Sequence, residues 1–407
     1  MRVCFFSRLV SLHALGGMQR DLDIRANWLI ERGHEVDVIT TRHPTLPARV
    51  EKDGIHFHFL QETRPLKQDR IWREQSIRAF LNLHKEHPFD LVICVGGGGW
   101  QYVRLRTKMK NIPPAVMFMQ TPLLPTLRYL LHNPTPINLA KTARYLYYFL
   151  FWNRRYGHYL DAVIVLSNAI RLFTLSENTF RSDRIYVVSN GIDTNYFSPG
   201  DAPSHLYQKL NITPQDRIAL WVGRLSKHKG WVECLEASLE VITQVSNYRL
   251  IVIAAEAERD RQEFLQLVCR LGIENYVRLI EDVPNQDLLN YYRLAHILVA
   301  PFYGPEAQPW VLIEAMACGL PIVTNDNPPI VDMVRHMEEG VLCSTALKSK
   351  SLSRAMIYLL SLGNLEYMGY VHRARERAIS QFDESRSRSR TIEILEAVVR
   401  RVTLAHP

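Results

Sequence analysis

The sequence predicts an α/β protein made of two doubly wound domains, each with a parallel sheet. Short, continuously apolar runs alternate with longer amphipathic stretches in residues 1–198, and the alternation restarts after residue 215. Apolar strands separated by helices are typical of parallel sheets covered on both faces. The length of 407 residues also fits two to three domains at about 150 residues each.

The predicted strands fall into two series. The first comprises Val3–Phe6, Glu35–Thr40, Leu91–Val95, Ala115–Met119, Ala162–Leu166 and Tyr186–Val188. The second comprises Ile218–Val222, Arg249–Ala254, Val277–Ile280, Ile297–Ala300, Pro321–Thr324 and Gly340–Cys343. The turn-rich stretch Ser198–His205 separates them. Apolar residues at helical spacing predict helices over Asp21–Arg32 and Asp383–Leu404.

Composition limits the partners and the compartment. A hydrophobic fraction of 47% with 22% charged residues excludes a disordered or fibrous chain. The net charge of +8 favours anionic partners, namely nucleotides, phosphates, acidic lipids or nucleic acid. The six scattered cysteines fit buried thiols in a reducing compartment. We find no cleavable leader and no apolar run of about 18 residues, so we expect a cytoplasmic chain that does not cross a membrane.

The strongest local signal is the segment Pro301–Asp326, which follows a predicted strand. Pro309 stands where a first helical residue would, a short helix is expected over Trp310–Cys318, and Gly319 stands at the left-handed position that ends it. Because a helix start carries free N–H groups and the positive end of the dipole, the segment predicts a phosphate site.

Two carboxylates accompany this expected helix. Glu306 lies in the loop before it, and Glu314 lies on it eight residues later. A carboxylate can accept two hydrogen bonds from the diol of a ribose or a hexose, which would explain acids beside an anion site. The alternative is a capping Glu306 and a solvent-facing Glu314.

Two further loops follow strands. In Trp221–Gly230, Arg224 and Lys229 offer what a diphosphate needs, a bidentate fork and a compact point charge. A solvated basic loop is the alternative. In the first loop of the chain, Gly16 and Gly17 let a backbone approach a ligand closely, although paired glycines are more often simple turns.

Together these motifs resemble the retaining glycosyltransferases of family four, which have the GT-B fold. The resemblance runs nearly end to end through five segments: the loop at Gly16, Val163–Ile170, Val187–Phe197, Gly223–Gly230, and the E-x7-E segment from Glu306 with its AMACGLPIV continuation. It implies two Rossmann-like domains facing a cleft. Residues 1–198 would bind the acceptor, residues 199–385 the nucleotide-sugar donor, and a helix over 386–407 would return to the first domain.

The resemblance also implies roles for single residues. Arg224 and Lys229 would hold the donor diphosphate, Glu306 would contact the transferred sugar, and Glu314 the nucleotide ribose. Gly16 and Gly17 would close over the phosphates. No metal and no cofactor is expected, because Arg, Lys and the helix dipole would do the work of a metal.

The chain departs from the family pattern in three places. Gln120 stands where the family has a histidine that contacts the donor sugar, and an amide can hold a hydroxyl but cannot shuttle protons. The usual G-x-G after the strand Arg249–Ala254 is replaced by the sequence AAEAERD. The usual E-G-F-G is EAQP, so Pro309 removes one N–H donor, whereas three expected donor-binding residues keep theirs: Ala307, Gln308 and Trp310.

We therefore expect a retaining, metal-independent glycosyltransferase that moves a hexose from a nucleoside-diphosphate sugar to a glycan, a lipid-linked acceptor or a small molecule. The alternatives are a non-catalytic sugar-nucleotide binder and a nucleotide-sugar epimerase. A phosphorylase would need a pyridoxal-phosphate lysine, for which the sequence gives no context. A nucleic-acid binder is disfavoured because the basic residues form no recognition module.

Other features have weaker interpretations. His13 is a candidate for the acceptor side. Asp21 and Asp23 resemble a D-x-D metal motif, but they lie in a first helical turn, and Gly96–Gly99 is interpreted as a strand-end turn. Residues 121–160 contain five Lys or Arg and nine aromatic residues without an acidic one. This composition is typical of contact with an anionic membrane at the inner face, with a packed helix or a subunit interface as alternatives.

Overall fold

The computed structural model describes residues 1–14, 16–109, 111–119, 123–132, 135–255 and 260–405. Contacts within the chain define two compact units, Met1–Asn190 with Arg386–Pro407, and Gly191–Ser385. Each unit has one sheet with helices, so the predicted class of two parallel-sheet α/β domains is confirmed.

The N-terminal unit has an eight-stranded sheet in the order β3-β4-β2-β1-β5-β6-β7-β8. Its strands are β1 Arg2–Phe6, β2 Glu35–Thr41, β3 Arg49–Lys52, β4 Ile55–Leu60, β5 Leu91–Val95, β6 Ala115–Met119, β7 Ala162–Val165 and β8 Ile185–Val187. Its helices before the boundary are α1 Gly17–Glu31, α2 Arg70–Glu86, α3 Trp100–Arg106, α4 Leu123–His132, α5 Pro136–Tyr148, α6 Arg154–Tyr156 and α7 Asn168–Ser176.

One edge of this sheet was not predicted. Strand β3 pairs antiparallel with β4, and β4 pairs parallel with β2. The sequence of β4, IHFHFL, alternates apolar and polar residues, and its burial alternates in the same way. A search for continuous apolar runs therefore misses it, because a strand with one wet face has a period of two.

The C-terminal unit has a six-stranded, all-parallel sheet in the order β11-β10-β9-β12-β13-β14. Its strands are β9 Arg217–Arg224, β10 Tyr248–Ala255, β11 Val277–Glu281, β12 Ile297–Ala300, β13 Ile322–Asn325 and β14 Gly340–Cys343. Its helices are α8 Ser204–Leu210, α9 Trp231–Gln244, α10 Arg261–Leu271, α11 Leu288–Leu294, α12 Trp310–Ala317, α13 Pro328–Val331, α14 Lys348–Leu360 and α15 Asn364–Phe382.

Burial explains why these strands form. Every residue of β5, β6, β7 and β12 is buried, as expected for parallel strands covered on both faces. Capping side chains mark some of the helix starts. Asp69 accepts from the backbone N–H of Trp72 at α2, and Ser167 accepts from Ile170 at α7.

The last helix, α16 Glu384–Ala405, belongs to the N-terminal unit from Arg386 onward. Ile394, Leu395 and Val398 are buried in the core of that unit. Arg25 of α1, itself buried, donates to Thr391 Oγ1 at 2.8 Å. The chain therefore returns to its first domain, as the resemblance implied.

The units divide at 190/191, eight residues before the predicted boundary. The backbone N–H of Ile192 donates to Phe382 O at 2.9 Å, and Thr194 Oγ1 donates to Asp383 at 2.5 Å. Ser198 O accepts from Arg293 at 2.9 Å. These bonds attach the turn-rich stretch and the residues before it to the C-terminal unit. Within the described residues, no helix has the length and hydrophobicity that a membrane span requires.

Candidate functional site

The topology of the C-terminal sheet indicates where a ligand would bind. Starting from β9, the chain adds β10 and β11 on one side and β12, β13 and β14 on the other. The order of the sheet reverses between β9 and β12, and ligands of open α/β sheets bind beyond the carboxyl ends of strands at such a switch point. The two strongest motifs follow β9 and β12, so both lie at this point.

The loop after β9 is held by backbone contacts to the loop after β12. The backbone N–H of Tyr303 donates to His228 O at 2.8 Å. Gly230 has a φ of +68°, and a Cβ at this position would lie 2.4 Å from Pro301 O. Only glycine fits here, because the left-handed backbone and the close approach both exclude a side chain. The position of Lys229 is therefore set by its glycine neighbour.

Lys229 and Glu306 are in direct contact. The Nζ atom of Lys229 lies 2.6 Å from Glu306 Oε1, and both side chains are largely buried. The ammonium also lies 5.0 Å from the centre of the Phe302 ring. A partly buried ion pair holds a lysine in one geometry better than an exposed pair does. The fold thus brings together two residues that lie far apart in sequence.

Arg224, at the end of β9, is exposed, and its guanidinium has no ion pair within the part of the chain that the structure describes. Lys227, two residues before Lys229, is exposed and pairs with Glu263 at 2.7 Å, so it is occupied elsewhere. Of the two cations predicted to hold a diphosphate, Arg224 has no ion pair within the described residues, and Lys229 is held by Glu306.

Helix α12 begins at Trp310, as predicted, and ends at Ala317, one residue before the predicted end. Pro309 is the N-cap residue, with an extended backbone, and the first helical residue is Trp310. The pyrrolidine ring of Pro309 is compatible with this N-cap position, because the N–H that proline lacks would make no helical hydrogen bond there. Gly319 has a φ of +76°, as expected for the residue that ends the helix. Before the helix, Ala307 is half-buried and Gln308 is buried.

Glu314 does not face solvent. It is 1% exposed, and Tyr292 OH on α11 donates to its Oε2 at 2.7 Å. The solvent-facing alternative is therefore wrong. Tyr292 is a neighbour that sequence reasoning missed, since nothing in the pattern of α11 distinguishes it from a core tyrosine. A ribose contact by Glu314 would have to share this carboxylate with Tyr292.

In the N-terminal unit, Gly16 and Gly17 form the start of α1. Gly16 has an extended φ of 175°, which any residue adopts, and Gly17 is the first helical residue. A Cβ on Gly16 would lie 2.7 Å from Gln19 Oε1, the end of a flexible side chain. The backbone therefore does not require glycine at this position.

His13 supports the loop after β1. Its Nε2 lies 3.2 Å from both Thr41 O and Arg42 O, so this nitrogen carries the proton and donates. The ring also lies 5.3 Å from that of His43. Burial lowers the pKa of His13, so the ring is neutral at pH 7. These contacts assign His13 to loop structure, and none of them concerns an acceptor.

Four sequence interpretations concern other places. Gln120 lies outside the described residues, as do residues 256–259 of the AAEAERD segment. Gly96–Gly99 forms a 3-10 turn in which a Cβ on Gly98 would lie 2.6 Å from Phe6 O, so close packing against β1 explains the glycine. Asp21 forms a buried ion pair with Arg25 at 2.7 Å. Within the described ranges, no group of three or more His, Cys, Asp or Glu is placed to hold a metal ion.

Comparison with known families supports the motif analysis. Residues 15–196 match the family described as Glycosyltransferase Family 4, and residues 205–379 match Glycosyl transferases group 1. The two matches together span most of both units. The chain therefore belongs to the group 1, family-four-like glycosyltransferases.

The relatives differ in how much they share. D-inositol 3-phosphate glycosyltransferase of Corynebacterium aurimucosum is 32% identical over 168 residues, which is 40% of this chain and 40% of that protein. The match thus spans about two fifths of that relative. 2-deoxystreptamine N-acetyl-D-glucosaminyltransferase of Niallia circulans is 21% identical over 343 residues, covering 81% of this chain and 84% of the relative.

Solved structures share the fold. Sucrose-phosphate synthase from Thermosynechococcus elongatus superposes with a TM-score of 0.82 at 19% identity, covering 98% of each chain. Anabaena HepE in complex with UDP-glucose superposes with a TM-score of 0.72 at 18% identity, covering 98% of this chain and 100% of that one. The fold is GT-B.

Proposed function

We propose that this chain transfers a hexose from a nucleoside-diphosphate sugar to an acceptor hydroxyl, with retained anomeric configuration and without a metal ion. The observation that carries the proposal is the contact of Lys229 with Glu306 at the switch point between β9 and β12. Family membership and the UDP-glucose bound by HepE support a nucleotide-sugar donor. We assign the donor site to the C-terminal unit.

The chemistry requires support for a departing diphosphate. The bond between the sugar C1 and the diphosphate oxygen breaks, and its electron pair stays on that oxygen. The acceptor oxygen bonds to C1 on the same face, and its proton passes to the departing diphosphate. Arg224, Lys229 and the N-terminus of α12 stabilise the negative charge that develops there. Because this charge is greater in the transition state than in the donor, these groups raise the rate.

Glu306 has a separate task in this proposal. One of its oxygens binds Lys229, and the other accepts a hydrogen bond from a hydroxyl of the transferred sugar. Glu314 and the backbone N–H groups of Ala307, Gln308 and Trp310 complete the donor site. The acceptor, which is a glycan, a lipid-linked molecule or a small molecule, binds the N-terminal unit. All six cysteines are free thiols, and five of them are buried, which fits a cytoplasmic enzyme.

A panel of nucleoside diphosphates and their sugars tests the proposal. We expect the nucleoside diphosphate with the matching base to raise the unfolding temperature of the protein, since a ligand that binds the folded state stabilises it by mass action. The matching sugar donor should then release the nucleoside diphosphate equally fast with and without a chelator. Nuclear magnetic resonance of the product should show the donor's anomeric configuration.

The rival functions give different results in the same panel. A non-catalytic binder shows the thermal shift without release of the nucleoside diphosphate. An epimerase changes the sugar without an acceptor and forms no new glycosidic bond. Loss of activity with chelator, or an inverted product, would overturn the metal-independent or the retaining part of the proposal respectively.

A further inference from the structure

Helix α5 is folded but hardly packed. Of its thirteen residues, all described, Thr142 is the one buried side chain. Ile137 is 69% exposed and Leu139 is 54% exposed. A stable helix normally buries an apolar stripe, and a group of exposed large apolar side chains marks an interaction surface.

The exposed apolar surface continues beyond α5. A π-helical turn, Phe149–Asn153, joins α5 to α6, and here Leu150 is 51% and Phe151 is 55% exposed. Tyr147 is also exposed, and its ring lies 5.0 Å from that of Phe151. We call the exposed side chains of residues 136–156 the α5 face.

The charges around the α5 face have one sign. The sequence has no acidic residue between 121 and 160. Four basic residues of the α5 face are exposed: Lys141, Arg144, Arg154 and Arg155. The guanidinium of Arg144 lies 5.9 Å from the ring of Tyr145, and that of Arg155 lies 5.6 Å from Tyr156. The face thus combines aliphatic, aromatic and cationic groups.

A basic cavity adjoins this face. It has a volume of about 590 Å³. Its lining includes five cations, namely Arg70, Arg73, Arg78, Arg104 and Lys108. Tyr147 and Trp152 belong both to the cavity wall and to residues 136–156, so the cavity and the α5 face are continuous.

The cavity carries uncompensated positive charge. Its one acidic residue, Glu74, pairs with Arg70 at 2.7 Å. Arg73 lies 5.5 Å from the ring of Trp152, and within the described residues neither Arg104 nor Lys108 has an ion pair. Trp152 is 7% exposed, and its indole N–H has no hydrogen-bond partner in that part of the chain. An anion in the cavity would offset these charges.

We propose that the α5 face docks on an anionic lipid bilayer, with lipid phosphate groups in the basic cavity. Aliphatic and aromatic side chains would enter the interface between headgroups and acyl chains, while the cations bind headgroups. A second copy of this chain fits less well, because two acid-free basic faces would repel. Nucleic acid fits less well too, since exposed Ile137, Leu139 and Leu150 cannot stack on bases as aromatic rings do.

Flotation with lipid vesicles tests this proposal on the full chain. Vesicles of phosphatidylcholine with phosphatidylglycerol are compared with pure phosphatidylcholine at about 0.15 M salt, where charges are screened beyond about 8 Å. We expect binding to the anionic vesicles and little to the neutral ones. Equal binding to both, or binding to neither, would overturn the proposal.

Two double variants separate the cavity from the face. Arg104→Glu with Lys108→Glu reverses two cavity charges, and Leu139→Ser with Phe151→Ser removes two exposed apolar groups. Each should weaken vesicle binding by on the order of tenfold or more. The control Lys350→Glu with Arg354→Glu makes the same charge change on exposed positions of α14 and should bind vesicles as the wild type does. Equal weakening in the control would reduce the effect to net charge and contradict the proposal.

Two further measurements identify the source of the phosphate and guard against unfolding. Inorganic phosphate at the concentration of lipid phosphate should not displace the vesicles, because it lacks the apolar part; displacement would indicate a soluble phosphate site instead. The unfolding temperature of both variants should lie close to that of the wild type. This readout shows that the variants are folded, and it needs no donor, so it keeps the proposal independent of the proposed transfer activity.

Discussion

The two basic clusters of this chain, one in each unit, differ in how their charges are neutralised. In the C-terminal unit, Lys229 pairs with Glu306 at 2.6 Å and the pair is largely buried. In the N-terminal unit, Arg104 and Lys108 line an open cavity of about 590 Å³ and have no carboxylate partner within the described residues. The first cluster is built from two strand-end loops, and the second from α2, α3 and the turn after α3.

From this difference we infer what kind of ligand each cluster can bind. A lysine held by a carboxylate and by a close-packed glycine loop has one position, which suits a ligand of defined shape such as a diphosphate. The cavity cations are spread over a wide, open wall, so they respond to the total charge of what lies opposite and are largely interchangeable. Single substitutions should therefore have large effects in the strand-end cluster and small effects in the basic cavity.

The largest expected effect is on turnover. Arg224→Ala should lower kcat/KM for the donor found in the panel by about a hundredfold to a thousandfold, as for other groups that stabilise charge in the transition state. Arg224→Lys should recover part of the loss, because lysine keeps the charge but loses the bidentate fork. Arg354→Ala, an exposed arginine of α14, should leave turnover within about twofold. Comparable losses in Arg224→Ala and Arg354→Ala would contradict the proposed contact of Arg224 with the donor diphosphate.

The second prediction concerns the glycine that places Lys229. Gly230→Ala should destabilise the chain by about 3 kcal/mol, because the new Cβ meets backbone at Pro301 in addition to its left-handed φ. Gly272→Ala is the matched control, since Gly272 has a φ of +67° with nothing within 4 Å of the new Cβ. It should cost about 1 kcal/mol. Equilibrium unfolding in urea measures both, and equal losses would show that the loop contact is unimportant.

The third prediction is a pH dependence of stability from His296, the residue before β12. Burial, with a smaller contribution from the charge of Arg217, lowers the pKa of His296 from 6.5 to about 4. Its Nδ1 accepts from the backbone N–H of Ile218 at 3.2 Å. The unfolded chain binds a proton below pH 6.5 and the folded chain only near pH 4, so stability falls as the pH is lowered through this window.

Between pH 7 and pH 5 this group should remove about 2 kcal/mol of unfolding free energy. His296→Asn keeps an acceptor for Ile218 but does not titrate there, so its unfolding free energy should fall less over the same range. Urea titrations at both pH values measure the difference. The same pH dependence in the variant and the wild type would assign the effect to other groups.

Sequence analysis predicted the parallel strands well, because strands that are buried on both faces are continuously apolar. Such a run is visible in the sequence without knowledge of the neighbouring strands. It missed the edge strand β3 and its neighbour β4, since β3 is largely exposed and β4 has one wet face, and neither forms a continuous apolar run. It identified Lys229 and Glu306 singly, but their contact depends on the adjacency of β9 and β12, which no local pattern encodes. The burial of Glu314 against Tyr292 was missed for the same reason. For residues 121–160 the sequence left open an exposed surface and a packed helix, because composition alone does not distinguish the two.

The most direct test of the central claim compares two lysines of the same loop. Titration calorimetry with the nucleoside diphosphate found in the panel should show that Lys229→Ala weakens binding by about tenfold or more, since a charge-assisted contact is lost. Lys227→Ala should bind within about twofold of the wild type, because Lys227 pairs with Glu263 at 2.7 Å on the exposed side of the loop. Equal losses in the two variants, or unchanged binding in Lys229→Ala, would contradict a diphosphate site at the switch point between β9 and β12.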